Sequence, residues 1–303
     1  MRAILVTAAL LVFAGREVRA ADDLDSALNS LKAADEQKDN DAVKKWAVET
    51  FRLSSAAGKG QAADAAAPDA ESVKAAGQFA EYALCAAALR ERDHAKTIEL
   101  YEALEQNAPQ SKYLPQLYSV YAAALAQAGK PDKAFVFAEK AIAKAPSNDD
   151  LLLMLANGFM TRKQWQRSAT YGSKLAAVMS TKPRPANVPQ ADWDRDRTLK
   201  LGRGYYISGL SYAMVSNHIF ADKNLRQALP YIKDENELKA VALLYLGLSN
   251  YNIARATLDR ARMKEAIDFS KQASTIPGPV QEQARKNAWM METDLAQLNG
   301  ARR

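Results

Sequence analysis

The residue types that most often do chemistry are few in this chain of 303 residues, and they are poorly spaced for it. Its two histidines, His94 and His218, have no histidine or cysteine three or four residues away, and neither His-Glu-x-x-His nor Cys-x-x-Cys occurs. His94 is expected to pack at a turn between two helices. His218 is expected past the end of a long helix, where a cation suits the negative end of the helix dipole. The run Asp192-Trp-Asp194-Arg-Asp196 resembles the start of a calcium loop, but Arg197 and Arg203 stand where the loop needs Gly and Glu. Alternating Asp and Arg on a helix read better as a solvated, ion-paired face. Gly58-Lys-Gly60 lacks the spacing of a phosphate loop, and Gly202-Arg-Gly204 has Ile207 where a third glycine would sit. No Gly-x-Ser-x-Gly nucleophile turn is present. Cys85 is the only cysteine, which rules out an intrachain disulfide. On an apolar helix face it is expected to be a small buried hydrophobe, with an intermolecular disulfide as the alternative. No catalytic residue, metal ligand or cofactor is therefore predicted.

The elements that would have to position such residues are helices, because Ala, Leu, Lys, Glu and Gln are plentiful and β-branched runs are scarce. They repeat. Arg92-Asp-His-Ala-Lys-Thr-Ile-Glu-Leu-Tyr-Glu-Ala-Leu closes at Pro109, and Lys130-Pro-Asp-Lys-Ala-Phe-Val-Phe-Ala-Glu-Lys-Ala-Ile closes at Pro146. A unit recurring about every 34 to 37 residues predicts a stacked solenoid, whose units bury their apolar faces only against neighbours.

The best copy, 115–148, places Tyr118, Tyr121, Ala122 and Leu125 on its first helix and Ala134, Ala138 and Ala141 on its second. Gly129 ends the first helix, Pro131 starts the second, and Phe137 stands beside Ala138, where a large residue is wanted. This pattern of large and small positions, with a closing Pro146, resembles the tetratricopeptide repeat. The resemblance implies an all-α helix-turn-helix solenoid, an α-α superhelix, with about five units at 78–111, 115–148, 149–182, 202–235 and 240–279. The third unit is expected to be capped by Ser147 and departs from the pattern at Gly172 and Leu175. The second helix of the last unit arrives late. Gln190 to Val215 is expected to form one long helix after a proline-rich break at Thr181 to Pro189.

In such a solenoid the first helices line a concave groove. The positions this implies are Tyr82, Arg90, Ser119, Asn157, Met160, Arg203, Tyr206, Met214, Tyr251 and Asn252. These are residue types that grip peptides through aromatic contacts and adaptable hydrogen bonds. Only Asn157 resembles the carboxylate clamp of some family members, so carboxylate capture is not expected.

Outside the units, Asp22 to Leu53 (22–53) reads as a helix pair broken near Lys38, and 54–72 as a flexible linker without large apolar residues. Residues 280–299 read as a capping helix that brings Trp289, Met290 and Leu298 onto the stack. Met1-Arg2 and the apolar Ala3 to Ala14 describe a secretory signal peptide, 1–20, cut after Ala20 or after Ala14, with an uncleaved anchor as the alternative. The expectation is a periplasmic or secreted scaffold with a protein or peptide partner. The net charge of +6 includes no long basic run, so no nucleic-acid partner is expected. The alternatives are a structural subunit of an envelope assembly and an enzyme or ligand binder built on 181–230. Oligomeric state is left open.

Overall fold

The computed structural model describes residues 23–60 and 69–300, and the side chains of all of these but 58–60 and 298–300. The signal peptide and its cut after Ala14 or Ala20 lie outside the described residues. These residues form thirteen helices and no strand: α1 (23–36), α2 (Asn40–Gly60), α3 (Ala70–Arg90), α4 (His94–Asn107), α5 (Leu114–Gln127), α6 (Pro131–Lys144), α7 (Asp149–Thr161), α8 (Trp165–Thr181), α9 (Gln190–Met214), α10 (His218–Ala228), α11 (Asn236–Thr257), α12 (Arg260–Thr275) and α13 (Gln281–Gly300). The chain divides after Lys144 into two compact units, the first holding α1 to α6 and the second α7 to α13. In each unit, helices adjacent in sequence pack on one another, so the fold is all-α hairpin stacking of the tetratricopeptide-like kind.

One boundary differs from the sequence expectation. Residues 54–72 are helical at both described ends, since α2 runs to Gly60 and α3 begins at Ala70, while 61–68 lie outside the described residues. Ala56 and Ala57 are good helix formers, and Ala57 is buried, so lack of large side chains does not stop the helix there.

The repeat is visible in the backbone of the turns. Lys38, Gly129, Lys163, Ser216 and Leu258 all have positive φ, and each sits between the two helices of a hairpin. After each of them the next N–H reaches back to a carbonyl five residues earlier: Asp39 to Ala34, Lys130 to Leu125, Gln164 to Phe159, Asn217 to Tyr212 and Asp259 to Ala254, all at 2.9–3.0 Å. This closes the first helix, whose last carbonyls would otherwise be unpaired. Asp39, Asn217 and Asp259 then cap the second helix by accepting from Ala42, Phe220 and Arg262 N–H. The cap of α7 is Asn148, which accepts from Leu151 N–H at 3.0 Å, and not Ser147.

In unit 1, Phe137 meets Tyr121, Tyr101 and Tyr118 edge-on at 4.7, 5.6 and 5.7 Å between ring centres, so it supplies the bulk that Ala138 lacks. In unit 2, α8 and α9 touch through backbone. A Cβ on Gly172 would lie 2.9 Å from Gly204 O and 2.9 Å from Ser208 N, and one on Gly204 would lie 2.9 Å from Ala176 N. The closeness lets Ser173 and Ser208 hydrogen-bond at 2.7 Å and Ser211 donate to Ser168 at 2.9 Å. Gly172 is thus a requirement of the packing and not a defect of the repeat. The last helix, α13, buries Ala284, Ala288 and Met291, while Trp289 is 70% exposed and faces away from the stack, against expectation. It lies one residue past Ala288, off the buried stripe.

Gly172→Ala or Gly204→Ala is expected to cost about 1–3 kcal/mol through overpacking. Gly77→Ala in α3, whose Cβ would meet nothing within 4 Å, is expected to gain about 0.5–1 kcal/mol. Urea unfolding of the three variants reads the contrast. At Leu258, φ is +57° on a residue with a Cβ, a conformation costing about 1–2 kcal/mol. Leu258→Gly is therefore expected to raise the thermal midpoint, measured by circular dichroism.

Candidate functional site

The first helices of three successive hairpins in unit 2 bound a cleft of about 240 Å³. Leu153, Asn157 and Met160 come from α7, Leu199 and Arg203 from α9, and Leu238 from α11; Tyr206 and Ile207, both buried, form the floor. The walls are mainly apolar, with a guanidinium and an amide at the rim. Arg203 is held by Glu235 at 2.6 Å, and Asn157 donates to Leu153 O at 3.1 Å while remaining exposed. Burial pushes the Tyr206 phenol up to about 12, so it stays a neutral O–H.

A buried charge cluster sets the spacing of α7 and α9. Lys200 is only 7% exposed, and its Nζ lies 2.6 Å from Asp149, 2.7 Å from Asp150 and 3.0 Å from Asp196. Lys182, at the end of α8, also pairs with Asp149. Burial alone would raise the Asp149 carboxyl, but hydrogen bonds and charge from Lys182 and Lys200 outweigh it and hold it below the usual range. Burial opposes the Lys200 ammonium too, and Asp149 and Asp150 outweigh that, raising it. Asp149 and Asp150 also lie in the first turn of α7, where negative charge suits the helix dipole.

Of the residues expected to line a groove, Asn157, Met160, Arg203 and Tyr206 meet here. Tyr206 and Tyr251 are each only 7% exposed, so neither is a free face; α9 and α11 are flanked on several sides and these rings fill core. The Tyr251 hydroxyl donates to Asp294 of α13, and Arg255 donates to it in turn. Met214 is exposed at the end of α9, where its sulfur accepts from Tyr245 at 3.6 Å, and Asn252 is exposed on α11. In unit 1, Arg90 is a tie, donating to Asn40 and Asp35 at 2.7 Å each. Ser119 is half-buried on α5. Tyr82 is exposed, with its ring 6.0 Å from Phe79 and 6.3 Å from Tyr113.

Sequence reading missed the apolar wall of the cleft and the Asp149–Lys200 cluster. Asp196 and Lys200, four apart on one helix, were a signal for part of the cluster. His94 is exposed at the first turn of α4. His218 follows the end of the long α9, as expected. It is the first residue of α10, at the positive end of that dipole, where burial lowers its pKa. Cys85 is buried and its thiol is pushed up by burial. Among the described residues, no group of three or more His, Cys, Asp or Glu could hold a metal ion.

Asp149→Ala removes the carboxylate that Lys182 and Lys200 share and leaves Lys200 only the more exposed Asp150 and Asp196, so it is expected to cost about 1–3 kcal/mol at neutral pH. The native carboxyl titrates below the unfolded value of about 3.9, so its contribution is present above that pH and is lost as pH falls through the native value. Urea titrations from pH 7 to pH 3 should therefore show the deficit of Asp149→Ala shrinking in acid. Tyr206→Ala should cost about 3 kcal/mol.

Residues 115–158 match the family model of the tetratricopeptide repeat, a stretch that takes in α5, α6 and most of α7. No curated protein matches the chain. By that match and by their hairpin stacking, the helices of this chain are similar to tetratricopeptide repeats.

Proposed function

We propose that the protein is a non-enzymatic interaction scaffold that captures a protein segment in the α7–α9–α11 cleft. The observation that carries this reading is the cleft itself: Leu153, Met160, Leu199 and Leu238 around an opening edged by Asn157 and Arg203. An apolar side chain of a partner fills such a space, while the amide and guanidinium serve its backbone. The buried Lys200 cluster and the glycine contact hold the helices rigid, so little ordering is left to be done on binding.

The scaffold reading also includes export. The proposed route is the signal at 1–20, cut after Ala20, and mass measurement of the mature N-terminus checks it. Among the described residues no helix is long and apolar enough to cross a membrane. A second reading is contact through the last helix, which the outward Trp289 favours.

The test is photocrosslinking from single positions. A crosslinker at 157 or 199 should trap a partner that one at 289 does not, and Leu199→Asp should abolish the capture. Leu199 is exposed, so its replacement should leave the thermal midpoint within about 0.5 kcal/mol of the parent. Trapping from 289 alone would replace the cleft reading with the end-contact one.

A further inference from the structure

The turns of unit 2 carry an apolar, basic end that the cleft does not use. At the α9–α10 turn Met214, Val215, Ile219 and Phe220 are all exposed, Ile219 at 70%. At the α11–α12 turn Leu258 is 69% exposed, and it is held in the left-handed region where few side chains sit without strain. The two turns are level. Asp222, one turn into α10, lies 3.7 Å from Arg262, near the start of α12, and Arg226 pairs with Glu265 at 2.7 Å. The α7–α8 turn stands at the same end, because Ser168, near the start of α8, bonds Ser211, near the end of α9.

Charge gathers at this end. The stretches 161–167, 214–223 and 255–262 hold seven Lys and Arg against two Asp. Both carboxylates are engaged, Asp222 with Arg226 at 2.7 Å and Asp259 in capping α12. The cations are spread through 100 residues of sequence, and the hairpin fold brings them to one edge.

We propose that this end docks on an anionic lipid surface, with Ile219, Phe220 and Leu258 entering the boundary between headgroups and acyl chains while Lys163, Lys223 and Arg255 meet lipid phosphate. Protruding apolar tips ringed by cations suit a planar, deformable, negative interface. They offer no walls to enclose a peptide. Two copies meeting through this end would bring like charges together. The proposal does not depend on the cleft.

The experiment uses the full chain in a Cys85→Ala background with a single cysteine at 219, at 258 or at 186, the last at the opposite end of unit 2. Each is labelled with the polarity-sensitive fluorophore NBD and mixed with phosphatidylcholine vesicles, with or without roughly a quarter phosphatidylglycerol. Labels at 219 and 258 should brighten several-fold and shift blue on the anionic vesicles only, and less at high salt, while the label at 186 stays unchanged. In the unlabelled chain, Ile219→Glu combined with Leu258→Gly should lower the vesicle partition constant by about tenfold. Leu258→Gly alone, expected to be at least as stable as the parent, should also weaken binding, which separates lost docking from lost fold. Silent labels at 219 and 258 on protein that pellets with vesicles would overturn the proposal. So would an equal response to neutral vesicles, or a response that grows with protein concentration when no lipid is present, which would point instead to self-association.

Discussion

Unit 2 is organised around one close approach, the backbone of α8 against the backbone of α9 at Gly172 and Gly204. With 2.9 Å from a would-be Cβ to the facing carbonyl, no side chain fits between the two helices. That approach makes the serine pairs possible, since Ser168 with Ser211 and Ser173 with Ser208 need the helices this near. Moving the helices apart would break both pairs; Ser168 would keep its bond to Ala156 O, but the other three hydroxyls, buried or partly buried, would be left unpaired at a cost of about 1–3 kcal/mol each. The contact also fixes the rotation of α9. With Gly204 and Ser208 turned to α8, Leu199 and Arg203 face the cleft and Lys200 is driven inward onto Asp149.

The charge cluster is therefore a consequence as much as a support. A lysine in such a place is tolerable only because three carboxylates surround it. Asp149 in turn answers to Lys182 as well as Lys200, which ties the end of α8 and the body of α9 to the start of α7. The proline-bearing break at 182–189 can then be long without loosening the hairpins on either side.

Helices and turns were legible in the sequence where punctuation is strong: Gly129 and Pro131 set one hairpin, and the prolines after Thr181 separate α8 from α9. Faces were less legible. Tyr206 and Tyr251 were assigned to a groove by counting along an ideal unit, but α9 and α11, at 25 and 22 residues, outrun that unit and meet more neighbours. Tyr251 fails for a further reason, since α13 supplies Asp294 and covers it. Gly172 looked like an error in the repeat because sequence counts side chains singly, whereas its reason lies in Gly204, a residue of the next hairpin. Asn157, Met160 and Arg203 nonetheless come together at the cleft, with the buried Tyr206 as part of its floor.

The turn end of unit 2 departs from what stability alone would retain. Leu258 holds a left-handed conformation that glycine adopts without strain, and its side chain gains nothing from burial. His218 has a buried Nδ1 with no partner and sits where the helix dipole disfavours its charged form. Ile219 and Phe220 expose apolar surface at the first turn of α10, where polar residues would serve the helix as well. The other hairpin turns solve the same backbone problem with Gly129, Lys38, Lys163 and Ser216, so apolar bulk is not needed to make the turn. Local rules broken together at one edge, while the core behind them is closely packed, indicate a constraint from outside the fold. A binding surface supplies one, because residues that weaken the free protein are retained when they act in the complex.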